Sequence, residues 1–266
     1  MFKEIKEFYK EESKATLWVY LILRFLVIVC IVLETLKGNW GNVFLCVLTL
    51  ILYLIPYLVD KKLNIDLPNT MDAMIFLFIF SAEILGEIQN FYGIIPYWDT
   101  ILHTINGFLC AAIGFSLIDI LNQSNKVSIN LSPIFVAVVA FCFSMTIGVL
   151  WEFFEFGADS IVKTDMQKDR IIESISSVSL NLEGKNIPVV LEDIEKTIIY
   201  SHNSNGELIE TTIPNGYLDI GIIDTMKDLL VNFVGAIVFS IFGFLYIKNR
   251  DDKSFVKKFI PKLKNK

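Results

Sequence analysis

The stretch SPIFVAVVAFCFSMTIGVLWEFFEF, residues 132–156, contains no charged side chain before Glu152. This uncharged run is long enough to cross a bilayer as one helix, because the hydrocarbon core is spanned by about 20 apolar residues. Hydropathy along the chain predicts six such spans, at 16–36, 40–59, 71–92, 100–121, 132–156 and 223–247. We therefore expect an all-α polytopic membrane protein with six transmembrane helices.

Composition supports this fold class and excludes others. The chain is 54% apolar and 20% charged, and its mean hydropathy is +0.56, whereas soluble domains are about 45–50% apolar and about 25% charged. A soluble enzyme, a disordered chain and a collagen are excluded. The net charge of −6 is too modest and too scattered for a protein that binds nucleic acid. The four cysteines include no CxxC pair, so neither a disulfide framework nor a zinc knuckle is indicated.

The basic residues predict the orientation in the membrane. Fifteen Lys and Arg residues lie in the leader 1–15, in the loops after spans two and four, and in the tail 248–266. The short loops on the opposite side contain only Lys37. Since cytoplasmic loops are enriched in Lys and Arg, we expect a multi-pass protein of the cell membrane with both termini in the cytoplasm. The predicted divisions are the leader, five helices within 16–156, an outer loop at 157–221, the sixth helix at 222–247 and the basic tail.

The outer loop contains 11 acidic and 5 basic residues and two strand-like segments. VSLNLEGKNIPVVL (178–191) alternates around Glu183–Lys185, and TIIYSHNSNGELIETT (197–212) contains Asn205-Gly206, a turn signal. We expect a small extracytoplasmic β-hairpin insertion between helices five and six, with His202 as a solvated turn residue. The tail SFVKKFIPKLKNK (254–266) fits either a short amphipathic helix on the inner leaflet or a simple basic tail.

Placing charged and amide side chains in the hydrocarbon core costs free energy, so such residues within the spans indicate a structural or functional role. Four helices contain them at helical spacing, so each set shares one helix face. In the expected topology the sets lie at the outer ends of their helices and face one another around an outward-open polar cavity. The sets are Glu83 and Glu87 in span three; Asp99, His103 and Asn106 in span four; Glu152, Glu155 and Asp159 in span five; and Asp224, Asp228 and Asn232 in span six.

Carboxylates crowded in such a cavity repel one another unless a cation or shared protons neutralise them. Carboxylates together with one imidazole suit Mg²⁺, Mn²⁺ or Ca²⁺, and Zn²⁺ is an alternative. The candidate ligands are Asp99, His103, Glu155, Asp224 and Asp228, and His103 or Glu152 is the candidate general base. A network of carboxylates that share protons is the metal-free alternative.

Several of these residues also have a structural interpretation. Asp99 and Asp224 start their helices, where Asp is a preferred N-cap residue. Glu155 fits equally well at the membrane interface. Glu83 or Glu87 is expected to neutralise Arg24, the cation inside span one, because an intramembrane Arg needs a partner.

Four segments resemble the YjdF-type family of bacterial integral membrane proteins. They are YWDTILHTINGF (97–108), LWEFFEFGAD (150–159), TDMQKD (164–169) and GYLDIGIIDTMKDLLVNFVGA (216–236), and the resemblance covers about residues 70–245. A more remote similarity is to VanZ-type proteins, which are associated with glycopeptide resistance. The resemblance implies an integral membrane protein with these site positions, and it implies no reaction. The long outer β-loop departs from the family pattern.

Three functions fit the sequence. The preferred one is a cell-envelope protein whose outward polar site binds a lipid or lipid-linked substrate or performs metal-assisted hydrolysis or transfer on it. A small proton- or ion-coupled transporter would use the same carboxylates. A non-catalytic scaffold would use them as interhelical hydrogen-bonding groups. The expected partners are membrane lipids and a lipid-linked substrate.

Overall fold

The structure is a computed structural model that describes residues 14–63, 65–123, 131–249, 255–260 and 262–263. The predicted leader therefore lies almost wholly outside the described residues, as does the part of the tail at 250–254 and 264–266. The chain forms two compact units. The first comprises residues 1–149 and 228–266, and the second comprises residues 150–227.

Strands and loops make up most of the second unit, and helices dominate the first. Those described are α1 (Lys14–Lys37), α2 (Trp40–Leu52), α3 (Ile55–Leu63), α4 (Asn69–Ile79), a π-helix (Phe80–Ile88), α5 (Phe91–Ile94), α6 (Trp98–Gln123), α7 (Pro133–Val162) and α8 (Ile222–Asn249). Five segments of the described chain are long and apolar enough to cross a membrane: Lys14–Lys37, Trp40–Val59, Trp98–Asp119, Pro133–Ile161 and Ile222–Asn249. The helical, membrane-type fold expected from the sequence is confirmed.

The predicted third span, 71–92, is not among these five segments. Here α4 continues directly into the π-helix, which ends at Ile88, and Asn90 then adopts a left-handed backbone with φ of 57°. Asp72, Glu83 and Glu87 lie within this helical stretch, and these acids make it more polar than the other segments. The count of six transmembrane helices therefore stays a prediction.

The first unit has two apolar cores. One is built by α1, α2, α4 and the π-helix, and its buried side chains include Val27, Cys46, Tyr53 and Phe76. The other is built by α6, α7 and α8 around small residues and aromatic rings: Ala111, Ala112, Phe115, Ala140, Ala236 and Phe239. Many large apolar side chains on the outer faces are exposed, such as Trp18 and Phe44, as expected of helix surfaces that contact lipid rather than water.

Short antiparallel strand pairs accompany the helices, as predicted. Strands β2 (Ile171–Ile172) and β7 (Tyr217–Leu218) pair in the second unit, and β5 (Lys196–His202) pairs with β6 (Leu208–Pro214) from Lys196↔Pro214 to His202↔Leu208. The β5–β6 turn forms because the Asn203 side chain accepts hydrogen bonds from the backbone N–H groups of Asn205 and Glu207. Gly206 there has φ of 80°, which favours glycine.

The other strand-like segment pairs differently from the prediction. Strands β3 (Ile175–Ser177) and β4 (Val189–Leu191) pair, while Val178–Leu180 forms a 3₁₀ turn instead of the expected strand. Local side chains explain the difference, because Ser177 Oγ accepts from the Ser179 N–H and Asn181 Oδ1 accepts from the Glu183 N–H. Such bonds favour turns over strands.

The described part of the C-terminal segment packs against the protein's own helices. Phe255–Phe259 forms a short 3₁₀ helix, and Val256, Phe259 and Ile260 are buried in the core of α6, α7 and α8. Strand β8 (Lys262–Leu263) then pairs with β1 (Ile65–Asp66). The alternative of an amphipathic surface helix is therefore wrong for the described residues, since Val256, Phe259 and Ile260 pack against the protein's own helices.

Candidate functional site

Two helices of the first unit bring three of the predicted metal ligands together. Asp99 lies in the first turn of α6, His103 lies one turn later, and Asp228 lies on α8. His103 Nε2 lies 3.4 Å from Asp99 Oδ1 and 4.0 Å from Asp228 Oδ2. One donor atom from each residue lies within 4.8 Å of a donor atom of the other two. Within the described part of the chain, these three residues thus form a group that could hold a metal ion.

Burial increases steadily across this cluster. The side chain of Asp99 is 28% exposed, that of His103 11% and that of Asp228 2%. A deeply buried carboxylate is costly unless hydrogen bonds or an opposite charge compensate it. The imidazole of His103 lies next to Asp228, and a cation held by the same groups would compensate the charge further. The more exposed Asp99 marks the side from which a ligand would approach.

The donor spacing can be compared with the dimensions of metal sites. Ligands of Mg²⁺ lie at about 2.0–2.1 Å, so two on opposite sides are about 4.0–4.2 Å apart, and those of Ca²⁺ at about 2.3–2.6 Å are correspondingly wider. Neighbouring ligands of a tetrahedral Zn²⁺ site are about 3.3–3.4 Å apart, given bond lengths of about 2.0–2.1 Å. The separations of 3.4 and 4.0 Å suit a small divalent cation after minor side-chain adjustment.

Amide side chains directly beneath the cluster connect its helices. Asn232, one turn after Asp228 on α8, is 1% exposed. Its Oδ1 accepts a hydrogen bond from Asn106 Nδ2 at 3.3 Å, and its Nδ2 donates to the Ser144 carbonyl at 3.5 Å. The Ser144 hydroxyl donates to the Gly107 carbonyl of α6 at 2.7 Å. Ser144 thus has a structural partner, and the three helices are joined by a polar layer.

Glycines allow these helices to approach so closely. A Cβ at Gly107 would collide with the Asn232 carbonyl oxygen, and one at Gly235 would collide with the Thr104 carbonyl oxygen. A Cβ at Gly148 would lie 2.7 Å from Asn232 Nδ2. Small residues at helix crossings permit backbone contact in membrane bundles. The positions of Asp99, His103 and Asp228 therefore depend on this crossing.

The second unit contains the predicted base Glu152 and the predicted ligand Glu155. Both are buried, at 5% and 8% exposure. Glu155 Oε1 accepts a hydrogen bond of 2.7 Å from the Trp151 indole N–H, one turn earlier on α7. This bond gives Glu155 an anchoring partner within its own helix. Catalysis by Glu152 and metal ligation by Glu155 stay predictions.

Asp224, also predicted as a ligand, lies in the second unit and has a structural partner there. Its Oδ2 accepts a hydrogen bond from the Lys168 backbone N–H at 3.0 Å, and its Oδ1 lies 3.7 Å from Arg170 Nη2. Asp159 accepts from the N–H groups of Met166 and Gln167 in the same 164–170 loop. The carboxylates of Asp159 and Asp224 therefore hold the 164–170 loop in place. The spacing of these residues in the sequence did not suggest this role.

Asp219 completes this arrangement, and sequence reasoning did not single it out. Its carboxylate accepts backbone hydrogen bonds from Arg170, Gly221 and Ile223. Burial alone would raise the pKa of Asp219, but these three donors outweigh it, so the pKa lies below its ordinary value of 3.8. Burial and neighbouring Asp165 and Asp219 raise the pKa of Asp169. The only sequence signal for Asp219 was its place in the quoted GYLDIG segment.

Replacing Asp219 by Asn should loosen the 164–170 loop at neutral pH, because an amide accepts these backbone bonds less strongly than a carboxylate. Hydrogen–deuterium exchange of peptides covering the loop measures the effect. The variant Asp165→Asn, at an exposed side chain of the same loop, is the matched control.

In the wild-type protein the lowered pKa of Asp219 stabilises the loop above the unfolded-state pKa of about 3.9. This stabilisation should be lost as the pH falls through the lower folded-state pKa. Loop protection, corrected for the intrinsic exchange rate, should therefore not fall between pH 7 and about 4, since protonation of Asp169 with its raised pKa favours the folded loop there. Below about pH 4 protection should fall. Loss of protection near pH 6 would contradict this account.

Arg24 has a different partner from the one expected. Its guanidinium donates to the Tyr20 hydroxyl and lies 5.6 Å from the centroid of that ring. In the part of the chain that the structure describes, no ion pair joins Arg24 to Glu83 or Glu87. Tyr20 lies one turn earlier on the same helix and is 4% exposed, so a local hydrogen bond replaces the predicted interhelical ion pair. Glu83 is half-buried and Glu87 exposed in the π-helix.

Comparisons with known proteins agree with a membrane assignment. A family model described as "Predicted membrane protein (DUF2238)" matches residues 16–249. A protein of Thermotoga maritima described as uncharacterized is 29% identical over 107 residues, which are 40% of this chain and 53% of that protein. The chain thus spans about half the length of the curated relative that it matches. No solved structure matches the chain significantly.

Proposed function

Since the chain belongs to the DUF2238 family of predicted membrane proteins, we propose that it is a metal-dependent protein of the cell envelope. The proposed resemblance to the YjdF type is consistent with this family, and the remote VanZ similarity stays a prediction. The observation that carries the proposal is the cluster of Asp99, His103 and Asp228, with donor separations of 3.4 and 4.0 Å from His103 Nε2. In our proposal both termini are cytoplasmic and the cluster opens to the outer side.

The donor set favours particular cations. Hard cations such as Mg²⁺ and Ca²⁺ take oxygen ligands, whereas imidazole suits Zn²⁺ and other transition metals. With one imidazole and two carboxylates, we favour Zn²⁺ or Mn²⁺. Three protein ligands leave coordination positions for water or substrate, as in catalytic rather than structural zinc sites. When bound, such an ion would polarise a carbonyl or phosphoryl oxygen or activate a water molecule.

The setting of the cluster favours a substrate that enters from the membrane. Asp228 and His103 lie on helices whose outer faces expose large apolar side chains. A lipid or lipid-linked molecule with a polar head could place that head at Asp99 while its chains remain in the bilayer. The proposed reaction class is hydrolysis or group transfer at this head, and His103, Asp99 and Asp228 would hold the cation.

The test uses the purified protein in lipid nanodiscs supplied with bacterial lipid extract and either Zn²⁺, Mn²⁺ or a chelator. Mass spectrometry of the lipids should show a product that requires both the cation and an intact Asp99. In Asp99→Asn the product should be lost, whereas Asp165→Asn, in the second unit, should behave as wild type. If the protein binds a cation but forms no product, the site binds a metal without catalysing a reaction on these lipids. Absence of any bound cation, with stability lost in Asp99→Asn, would favour a scaffold instead.

A further inference from the structure

The C-terminal segment lies in the middle of the helix core rather than beyond it. Val256 is 3% exposed, Phe259 2% and Ile260 7%, and they pack in one cluster with Ala111 and Phe115 of α6. A chain that merely followed the last helix into water would leave these side chains exposed. The segment therefore re-enters the bundle that contains the Asp99, His103 and Asp228 cluster.

Ring contacts show how far the segment reaches. The Phe259 ring lies edge-on to the Phe108 ring of α6, with centroids 5.2 Å apart and an interplanar angle of 84°. Phe108 in turn contacts Phe239 of α8, with centroids 5.0 Å apart. Phe108 is five residues after His103 on α6, or about 7.5 Å along the helix axis. The Phe259 ring therefore contacts α6 about two helical turns or less from His103 of the polar cluster.

Backbone pairing also holds the segment, after the Phe259 ring contact along the chain. Its last described residues form strand β8, which pairs antiparallel with β1 at Ile65↔Leu263 and Asp66↔Lys262. Non-helical backbone at membrane depth is tolerated only where protein surrounds it and pairs its polar groups. The 3₁₀ helix contacts α4 and β8 contacts α6, so the segment bridges two helices of the first unit.

The core around the segment also contains buried acids. Asp72 of α4 and Asp119 of α6 are each 1% exposed, on the two helices that the segment contacts. The segment brings Lys257 into this region half-buried, whereas Lys258 is exposed. The segment therefore combines a buried apolar face with lysines of differing exposure.

We propose that residues 255–260 and 262–263 are an intramolecular plug that closes the tail-side end of the bundle beneath the Asp99, His103 and Asp228 cluster. The plug leaves the cluster accessible from one face of the membrane only. Its apolar side chains fill the space between α4, α6 and α8, and its β8 strand fastens it to β1. The plug does not depend on a bound metal, so it stands or falls separately from the proposed chemistry.

An engineered cysteine can report on the plug. Ala111 of α6 is fully buried and belongs to the same apolar cluster as Val256, Phe259 and Ile260. We would replace the four native cysteines with Ala and introduce Ala111→Cys as the single thiol. Sealed vesicles are then treated with a membrane-impermeant maleimide from the face that bears the C-terminus.

The full-length protein with Phe259 intact should react slowly from that face. Phe259→Asp should raise the rate at least about tenfold, because a charge cannot remain in this core and local opening becomes easier. Lys258→Asp, at an exposed position of the same segment, should leave the rate unchanged. Phe259→Ala removes the ring without adding a charge, and it provides a smaller increase if the Asp variant does not fold.

Rapid labelling with Phe259 intact would overturn the proposal, as would equal rates in the Phe259→Ala variant and its parent. Zn²⁺ binding measured on the same samples separates the two proposals. In the protein with Phe259 intact, slow labelling without metal binding would count against the metal site alone. Metal binding with rapid labelling of that same protein would count against the plug alone.

Discussion

Replacing Asp228 by Asn is expected to weaken divalent-cation binding by at least about a hundredfold, since even changes around the ligands cost about 10- to 100-fold. Asn keeps the shape of Asp but loses the negative charge. Asp228 is the most deeply buried donor of the cluster, at 2% side-chain exposure, and its Oδ2 lies 4.0 Å from His103 Nε2. Titration of metal-free protein in detergent with Zn²⁺ and Mn²⁺, followed calorimetrically, measures the affinity.

The control for this variant is Asp165→Asn, which removes the same charge from a side chain that is 64% exposed in the second unit. Both variants change the net charge equally, so a general electrostatic effect would appear in both. Affinity should fall only in Asp228→Asn, and its thermal stability without metal should stay near that of wild type. Unchanged affinity in Asp228→Asn would contradict the metal assignment.

Replacing Gly107 by Ala is the second large expected effect, and it acts through helix packing. A methyl group there would collide with the carbonyl oxygen of Asn232, and backbone atoms cannot move aside as a flexible side chain can. Overpacking typically costs about 1–3 kcal/mol, and here α6 and α8 would have to separate. We expect lower thermal stability by about 5–10 °C, with about 2–4 °C per kcal/mol for chains of this size.

Separation of α6 and α8 would also move His103 away from Asp228, so cation affinity should fall together with stability. The matched control is Gly41→Ala in α2, where a Cβ would meet no atom within 4 Å. At such an open helical site Ala is favoured over Gly by about 0.5–1 kcal/mol. Thermal unfolding in detergent measures both variants. Equal stability of the two would show that the crossing is looser than the structure indicates.

The sequence predicted well those features that depend on long local patterns. Uninterrupted apolar runs predicted the membrane helices, because a helix of that length has few other ways to bury its surface. The four-residue spacing of Asp99 and His103 predicted their common helix face. The Asn205-Gly206 signal predicted the turn between two strands, where Gly206 adopts the positive φ that glycine favours.

Features that depend on distant contacts were harder to predict. The lysines of the tail suggested a surface helix, and only the folded chain places Val256 and Phe259 in the core. No sequence pattern distinguishes the π-helix at Phe80–Ile88 from an α-helix. Arg24 was expected to need an acid from another helix, although a tyrosine one turn away satisfied it.

The candidate site illustrates both cases. Spacing put Asp99, His103, Asp224 and Asp228 at similar depths, and the structure brings the first two together with Asp228. Asp224 instead accepts a hydrogen bond from the backbone of the 164–170 loop. Spacing along one helix indicates a shared face, but it does not reveal which carboxylates the neighbouring loop will use.

The most direct test of the metal assignment is anomalous X-ray scattering from crystals of the protein grown with Zn²⁺ or Mn²⁺ and measured at the metal's absorption edge. We expect one strong peak bonded to His103 Nε2 and to a carboxylate oxygen of Asp99 and of Asp228, at about 2.0–2.2 Å. A map without a peak at these three side chains, from crystals in which they are well ordered, would contradict this expectation.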